Sequence, residues 1–468
     1  MRQALTRIAK ALEGTSFAGK AYLVGGAVRD DLLGRRVDHD LDIVIEGDAL
    51  AVAELLRERG VAKSVPVVYP RFGTAMVHIG SATVELVTAR RESYDEESRK
   101  PHVEPASLAE DAARRDFTVN TLMRSLTTGE LVDPLGRGLD DLRSKTLRTP
   151  VDPVATFHDD PLRMLRAVRF RWQLGFDYAE GLAEAVRNQA HRLSVISAER
   201  IKEEFAKILV LEQADKGMQD LLDLDLLAVF APEFLPMAGC VQGGYHHLDV
   251  WGHTLLALRN AGPGDLVLNL AVLFHDIGKP STKTVDERGQ TRFFRHEVVG
   301  AEIALDVLRR LKFSKDESEN VALLVRNHMR LNSMDSISPS AARRIIHDLG
   351  DNVGRWLDLI EADSKSLKPG VTKLDVDRVR RLLDETASAT PQQELHSPLT
   401  GEEIMEATGL PPGPLLGTLK KMLLEDVLEG RIMTGDKTAG KVRLMEHWRN
   451  VEASRGVAQV TEEADDRD

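Results

Sequence analysis

Two aspartates spaced for metal chemistry, Asp40 and Asp42, begin the stretch Asp40-Leu41-Asp42-Ile43-Val44-Ile45. Polar and apolar residues alternate here, so in a strand both carboxylates lie on one face. Two adjacent carboxylates repel each other unless a cation lies between them. Mg²⁺ held by two carboxylates and by phosphate oxygens meets that requirement. The pair therefore predicts metal-assisted transfer of a phosphate compound, with Asp40 and Asp42 as catalytic metal ligands.

A glycine turn lies just before these aspartates in the chain. The apolar run Tyr22–Val24 stops at Gly25 and Gly26, and helical character follows. Without side chains, the turn lets backbone N–H groups approach a ligand, and a turn leading into a helix N-terminus binds anions. Arg29, one turn into the helix, adds a fork that matches phosphate geometry. Glycine turn, arginine and carboxylates together predict nucleotidyl transfer.

A third set of chemically suited residues lies in HDDPLRMLRAVRFRW, residues 158–172. At 100° per residue, Asp160, Arg163 and Arg166 share one third of a helix, whereas Arg169 falls on the apolar side. A carboxylate accepts from the amino group of C or A, and a guanidinium donates to acceptors on the same base edge. G and U would present a carbonyl oxygen to the carboxylate instead. Asp160 and Arg163 thus predict selection of C and A without a template.

The second half of the chain contains spaced histidines and aspartates on or beside predicted helices. The six candidate metal ligands are His253, His275, Asp276, His296, His328 and Asp363. Imidazole and carboxylate suit Zn, Mn, Fe, Co or Ni, and six groups can hold two ions with Asp276 as the bridge. His246 and His247 are interpreted as bystanders.

The composition of the chain limits its class and compartment. The 468 residues are enough for two to four domains, and the single cysteine excludes a disulfide framework, which favours a reducing cytoplasm. No apolar run reaches membrane-spanning length. Because the net charge is −12, a nucleic-acid partner would have to bind a local basic surface.

These motifs resemble the class II tRNA nucleotidyltransferases, the CCA-adding enzymes and related poly(A) polymerases. The resemblance rests on residues 22–42, on RRDFTVN at 114–120, and on Asp160 and Arg163 within the family's EDxxR motif, where Asp159 replaces Glu. It implies that Arg115 contacts the nucleotide, that Arg166 and Arg169 belong to the nucleotide site, and that tRNA, CTP and ATP are the substrates. The set H…HD…H…H…D resembles the HD phosphohydrolases, which implies phosphatase or 2′,3′-cyclic phosphodiesterase activity in RNA repair.

We therefore predict an α+β protein: a mixed-sheet nucleotidyltransferase head (1–145), an all-helical neck that selects nucleotides and binds RNA (146–235), an HD domain (236–370) and a C-terminal helical tRNA-binding domain (371–450). An acidic tail over 451–468 is predicted to be disordered. Residues 65–90 should form two or three strands broken at Gly73 and Gly80, and 91–107 a mobile surface loop. The resemblance implies that this loop is shortened in enzymes that add only CC, so its full length here weighs against a CC-only enzyme. Glu85 is a possible third carboxylate.

Two alternatives remain open at this point. One is an A-adding enzyme or a poly(A) polymerase on the same scaffold. The other makes the HD domain the principal activity, a nucleotide phosphohydrolase whose head acts as a sensor.

Overall fold

The computed structural model describes residues 2–36, 40–93, 102–331, 337–370 and 375–465. The chain divides into two compact units, Met1–Leu235 with Arg310–Phe313, and Pro236–Arg309 with Ser314–Asp468. The finer division into five segments stays a prediction. Within the described residues no helix is long and apolar enough to cross a membrane. The cytoplasmic location also stays a prediction.

A seven-stranded sheet forms the centre of the first unit, in the order β3-β4-β5-β2-β1-β8-β9. Strands β2 and β5 are parallel and the other neighbours are antiparallel, so the predicted mixed sheet is confirmed. Breaks at Gly73 and Gly80 separate β3, β4 and β5, also as predicted. The strands of this unit are β1 (Ala21–Val24), β2 (Asp40–Ile45), β3 (Val67–Tyr69), β4 (Thr74–Ile79), β5 (Ala82–Thr88), β6 (Arg90–Ser93), β7 (His102–Pro105), β8 (Met123–Ser125), β9 (Leu131–Val132), β10 (Thr146–Leu147) and β11 (Asp177–Tyr178).

The packing of β2 fixes which way its aspartate positions face. Leu41, Ile43 and Ile45 are fully buried in the main hydrophobic core, whereas Val44 packs in a separate small cluster with Val24. Since successive residues of a strand face opposite sides, positions 40, 42 and 44 lie on the face away from the main core. Burial of the apolar residues at the odd-numbered positions of β2 thus places positions 40 and 42 together on the opposite face.

Helices cover this sheet and make up nearly all of the chain from residue 153 to the end of the unit. Asp152 caps the N-terminus of α6 through its side chain, and Gly175 in the left-handed conformation ends α7. The short parallel pair β10–β11 is the one departure, among the described residues of that segment, from the predicted all-helical neck. The helices are α1 (Arg2–Leu12), α2 (Gly26–Leu32), α3 (Ala49–Glu58), α4 (Leu108–Ala113), α5 (Gly138–Arg143), α6 (Pro153–Asp159), α7 (Leu162–Leu174), α8 (Leu182–Gln189), α9 (Ala198–Leu209), α10 (Ala214–Asp223) and α11 (Leu227–Phe230).

The second unit is helical apart from one hairpin, β12 (Lys283–Val285) and β13 (Thr291–Phe293). Its most apolar helix, α13, is buried continuously from Leu268 to Phe274, which fits a helix surrounded by others. The fold class α+β is therefore confirmed. The helices are α12 (Val250–Ala261), α13 (Leu266–Phe274), α14 (Lys279–Thr282), α15 (His296–Arg310), α16 (Lys315–Asn327), α17 (Pro339–Leu349), α18 (Val353–Lys365), α19 (Val376–Ala389), α20 (Gly401–Thr408), α21 (Pro414–Leu428) and α22 (Lys437–Asp465).

Two predicted irregular segments differ from the structure. Strands β6 and β7 pair antiparallel at the two ends of the predicted loop over 91–107, and Arg91 donates to Glu104 across the pair, since opposite charges on paired strands attract. Residues 94–101 lie outside the described part. In place of the predicted disorder from residue 451, α22 continues to Asp465. Extending an existing helix avoids the cost of nucleation, and the segment is rich in Ala, Glu and other helix formers.

Candidate functional site

The glycine turn lies against the second aspartate of the pair. Gly25 has a φ of +78°, a conformation that side-chain-bearing residues rarely adopt. A Cβ built on Gly25 would lie 3.8 Å from Asp42 Oδ2 and 4.0 Å from Arg115 Nη1. Any side chain at this position would thus occupy the space between a carboxylate and a guanidinium. The structure thus brings the turn, Asp42 and Arg115 together, and their roles stay predictions.

Asp42 also has an acidic neighbour on the adjacent strand. The register pairs Asp42 with Val24 on one side and with Glu85 on the other. Partial burial and the charge of Asp42 both raise the pKa of the Glu85 carboxyl. Asp40 pairs with Thr83 through its backbone, and its side chain lies outside the described part. Carboxylates that repel each other on one face fit a divalent cation with oxygen ligands.

Arg29 is engaged by protein groups. It is 4% exposed, donates from Nε and Nη2 to both oxygens of Asp30, and donates from Nη1 to Asn120 Oδ1 at 2.6 Å. A Cβ on Gly26 would be 3.5 Å from Arg29 Nη2. The guanidinium therefore borders the turn, and a phosphate would have to replace Asp30 to be bound by its fork.

Arg115 and Arg114 share a fully buried carboxylate. Arg115 donates from Nε and Nη2 to Asp111 Oδ2, while Arg114 donates to Oδ1. Burial alone would raise the pKa of Asp111, but the two guanidiniums outweigh it and lower that pKa. Only Arg115 of the two lines the cleft at the glycine turn. This agrees with the preference for Arg115 over Arg114.

A cleft of about 330 Å³ joins the glycine turn to helix α7. Asp116 accepts from Nε and Nη2 of Arg166 at 2.9 and 2.5 Å and from Asn120 Nδ2 at 3.0 Å. Burial opposes ionisation, yet Arg166 holds the pKa of Asp116 down at about 2. The lining residues are Val24, Gly25, Gly26, Ala27, Arg29, Asp30, Asp42, Arg115, Asp116, Asn120, Arg166, Arg169, Phe170 and Gln173.

Arginines of α2 and α7 surround an aromatic ring in this cleft. The guanidinium carbons of Arg29, Arg166 and Arg169 lie 5.0, 5.2 and 4.1 Å from the centroid of Phe170. Arg169 is buried, as its helical position predicted, and donates to Glu204 Oε2 at 2.6 Å. Its pKa is lowered by burial, which the charge of Glu204 opposes. The ion pairs fix the arginines before any ligand binds.

Asp160 and Arg163 are not among the described residues that line the cleft. Asp160 ends α6 in an extended conformation, and Pro161 leads into α7, so Asp160 lies at the N-terminal end of the helix that contains Arg163 and Arg166. Arg163 donates to the carbonyl oxygens of Arg114 and Thr156 at 2.5 and 3.3 Å. Their base-reading role stays a prediction.

All six predicted ligands in the second unit come together in two groups of three. Within each group the ligand atoms lie within 4.8 Å of one another: His253, His275 and Asp363 form one group, and Asp276, His296 and His328 form the other. Asp276 turns Oδ2 towards His275 Nε2 at 3.2 Å and Oδ1 towards His296 Nε2 at 3.5 Å. The two carboxylate oxygens of Asp276 thus face both groups, and its role as a bridge between two ions stays a prediction.

The orientation of three histidine rings in this cluster suits metal binding. His275, His296 and His328 each direct Nδ1 at the carbonyl oxygen three residues earlier, at 2.6, 2.9 and 2.7 Å. Since a carbonyl only accepts, Nδ1 carries the proton and Nε2 offers a lone pair, the arrangement typical of metal-binding histidines. His296 Nε2 and His328 Nε2 nevertheless lie 3.2 Å apart, and burial lowers the pKa of His328 to about 3. A cation between these two nitrogens would relieve the repulsion between their lone pairs.

Two further residues approach this cluster that the sequence did not assign to it. Buried Lys279 donates to Asp276 Oδ2 and to Gln242 Oε1, both at 2.6 Å. The ring of His246 packs edge-on against that of His253, with centroids 4.6 Å apart. Lys279 follows the HD pair by three residues, a helical spacing that could have identified it. His246 was interpreted as a bystander, and its contact depends on the tertiary fold.

Three protein-family models match the chain in succession. They are the poly A polymerase head domain over residues 21–148, the probable RNA- and SrmB-binding site of polymerase A over 175–237, and the HD domain over 243–363. The fold and the two sites therefore define a nucleotidyltransferase that also contains an HD domain.

Curated relatives match nearly the whole chain. The CC-adding tRNA nucleotidyltransferase of Thermus thermophilus is 36% identical over 92% of this chain and 94% of its own length. The A-adding enzyme of Deinococcus radiodurans is 34% identical over 89% and 94%. The Bacillus stearothermophilus CCA-adding enzyme, solved with CTP, has the same fold, with a TM-score of 0.69 at 24% identity over 97% and 98% of the two chains. The chain belongs to the tRNA nucleotidyltransferase family and is an enzyme.

Proposed function

We propose that this enzyme adds CCA to the 3′ end of tRNA from CTP and ATP without a nucleic-acid template. The observation that carries this function is the cleft in which Asp42, the turn at Gly25 and the arginines of α7 meet. The relatives reported above are named tRNA nucleotidyltransferases. The solved structures that resemble this chain include CCA-adding enzymes in complex with CTP, ATP and tRNA.

The position of each residue in the head suggests its role in binding the metal ion or the nucleotide. Asp40 and Asp42 would hold Mg²⁺, which when bound supplies activation of the tRNA 3′-hydroxyl and neutralises charge as pyrophosphate leaves. Backbone N–H groups at Gly25 and Gly26, with Arg115, would hold the triphosphate. Arg29 would also bind the triphosphate if a phosphate replaced Asp30 as the acceptor of its N–H groups. Because ion pairs already fix Arg115, Arg166 and Arg169, these three side chains need little reorganisation on binding.

Base selection falls to Asp160 and Arg163, with Arg166 and Arg169 bordering the nucleotide. An amino group donates to a carboxylate, whereas the carbonyl oxygens of G and U repel it. Exchanging Asp160 and Arg163 is expected to admit UTP or GTP. Unchanged selectivity in the exchanged variant would remove the pair from this role.

A specialised enzyme is the second candidate, because two relatives that match nearly the whole chain are named CC-adding and A-adding. The deciding experiment uses tRNA ending at the discriminator base and tRNA ending in CC, each with CTP alone, ATP alone and both. A CCA-adding enzyme extends the first by CC with CTP alone and by CCA with both nucleotides. A CC-adding enzyme leaves tRNA-CC unextended, and an A-adding enzyme or a poly(A) polymerase ignores CTP.

We further propose that the six-residue cluster of the HD domain holds two divalent transition-metal ions and hydrolyses phosphate esters, including 2′,3′-cyclic phosphates at RNA ends. The lone pairs of the histidines and the two oxygens of Asp276 support this proposal. Ions bound there would supply a nucleophilic hydroxide at neutral pH. Metal analysis of the purified protein, together with cyclic-phosphate hydrolysis by wild type and His275→Ala, tests it. Cyclic-phosphate hydrolysis without nucleotide incorporation would instead support a phosphohydrolase with a sensor head.

A further inference from the structure

A neck arginine outside the cleft holds one of the predicted base-reading groups. Arg200, in α9, donates from Nη2 to Asp160 Oδ2 at 2.9 Å. The backbone N–H of Leu162 donates to the other oxygen, Oδ1, at 3.2 Å. Each oxygen of the carboxylate therefore has one fixed donor, and the plane of the carboxylate is set by both.

The same helix also contacts two arginines of α7. Glu204 lies four residues after Arg200 and accepts from Arg169 at 2.6 Å, with Arg166 Nη1 at 3.7 Å. Residues four apart share one face of a helix. One face of α9 thus contacts Asp160, just before α7, and two arginines within α7, Arg166 and Arg169.

The orientation of Asp160 decides which base it accepts. U and G also carry an imino N–H, which a carboxylate that is free to turn can accept while it avoids the carbonyl oxygen. A carboxylate held from both sides lacks that freedom and favours the amino group of C or A. Arg200 is about half exposed, and an ion pair so exposed contributes little to stability. The ion pair between Arg200 and Asp160 therefore affects the orientation of the Asp160 carboxylate more than the stability of the fold.

We propose that Arg200 is a positioning residue for nucleotide selection, which fixes the carboxylate of Asp160 against rotation. The proposal rests on the base-reading role of Asp160 proposed above. Arg200 touches neither substrate nor metal in this assignment; it acts through Asp160.

The test compares Arg200→Ala and Arg200→Lys with Arg187→Ala, a matched loss of a neck arginine that donates to the carbonyl oxygen of Asp223. Steady-state extension of tRNA gives kcat and KM for each of the four nucleotides. For Arg200→Ala we expect a roughly tenfold loss of discrimination against UTP and GTP, the size of one good base contact. KM for CTP and ATP should rise with little change in kcat. Arg200→Lys should retain part of the discrimination, and Arg187→Ala all of it.

The double variant Asp160→Ala/Arg200→Ala separates this proposal from the base-reading function. If Arg200 acts through Asp160, its removal has no further effect on selectivity once Asp160 is gone. An equal effect in both backgrounds, or selectivity in Arg200→Ala equal to that of Arg187→Ala, overturns the positioning role alone. If Asp160→Ala itself keeps full selectivity, the base-reading assignment is wrong and the role of Arg200 fails with it. Thermal unfolding midpoints of all variants check that each is folded.

Discussion

The two candidate sites satisfy their charges in opposite ways. In the head–neck cleft, acidic and basic side chains pair within the protein, as Asp116 does with Arg166 and Asp111 with Arg115. In the HD cluster, the ring nitrogens of His296 and His328 face each other, and Lys279 donates to Asp276. The first site is largely arranged before its ligand arrives, except at Arg29, which pairs with Asp30, and where Asp42 lies beside Glu85. In the second site, the facing lone pairs favour bound cations.

The largest effect should follow from removing a carboxylate of β2. Asp40→Ala and Asp42→Ala should each lower nucleotide incorporation at least about a thousandfold, because a bound metal stabilises transition-state charge by several kcal/mol. Glu54→Gln, which removes an exposed carboxylate paired with Arg57, should leave incorporation unchanged. The HD activity should remain in all three. Incorporation that persists in Asp42→Ala would sink the catalytic assignment.

Metal removal should affect the HD cluster far more than the cleft. A metal at a hundred times its Kd stabilises the folded state by about 2.7 kcal/mol. We therefore expect Mn²⁺ or Ni²⁺ to raise the unfolding midpoint of wild type and of His247→Ala, but not of His275→Asn. Differential scanning calorimetry with and without chelator measures this. Equal midpoint shifts in His275→Asn and wild type would place the ion elsewhere.

Acid should weaken the cleft only at low pH. The pKa of Asp116 is about 2 when folded against a usual 3.8, so its ion pair contributes fully above pH 3.8 and is lost as pH falls through the folded pKa. The shift corresponds to roughly 2 kcal/mol at neutral pH. Urea unfolding between pH 5 and pH 2.5 should show wild type losing stability relative to Asp116→Asn as the pH drops. A difference between the two that stays constant over this range would show that Arg166 does not hold the ionised form.

The smallest expected effect concerns Glu85. If it supports the cation beside Asp42, Glu85→Gln should raise the Mg²⁺ concentration for half-maximal incorporation by less than about tenfold, since it removes one of several oxygen ligands. Glu58→Gln, an exposed change on α3, is the control. An unchanged Mg²⁺ requirement would make Glu85 a solvated neighbour, which is the other interpretation of a strand glutamate.

Much of the fold was predictable because local patterns agree with the packing. Breaks at Gly73 and Gly80, the alternation along β2 and the amphipathic α7 all correspond to observed elements. The ribbon β6–β7 was missed because its strands are charged and lack apolar alternation, so their pairing depends on the partner strand.

The sequence alone determined the chemistry of both sites: which residues are acidic, basic or metal-binding, and their spacing along strand and helix. Only the tertiary structure decided which partners they meet, such as Glu85 beside Asp42, Arg200 on Asp160, and His296 facing His328. The physical reason is distance along the chain. Spacing within one element fixes neighbours through the backbone geometry, whereas contacts 32, 40 or more residues apart arise only when burial of the apolar faces packs the elements together.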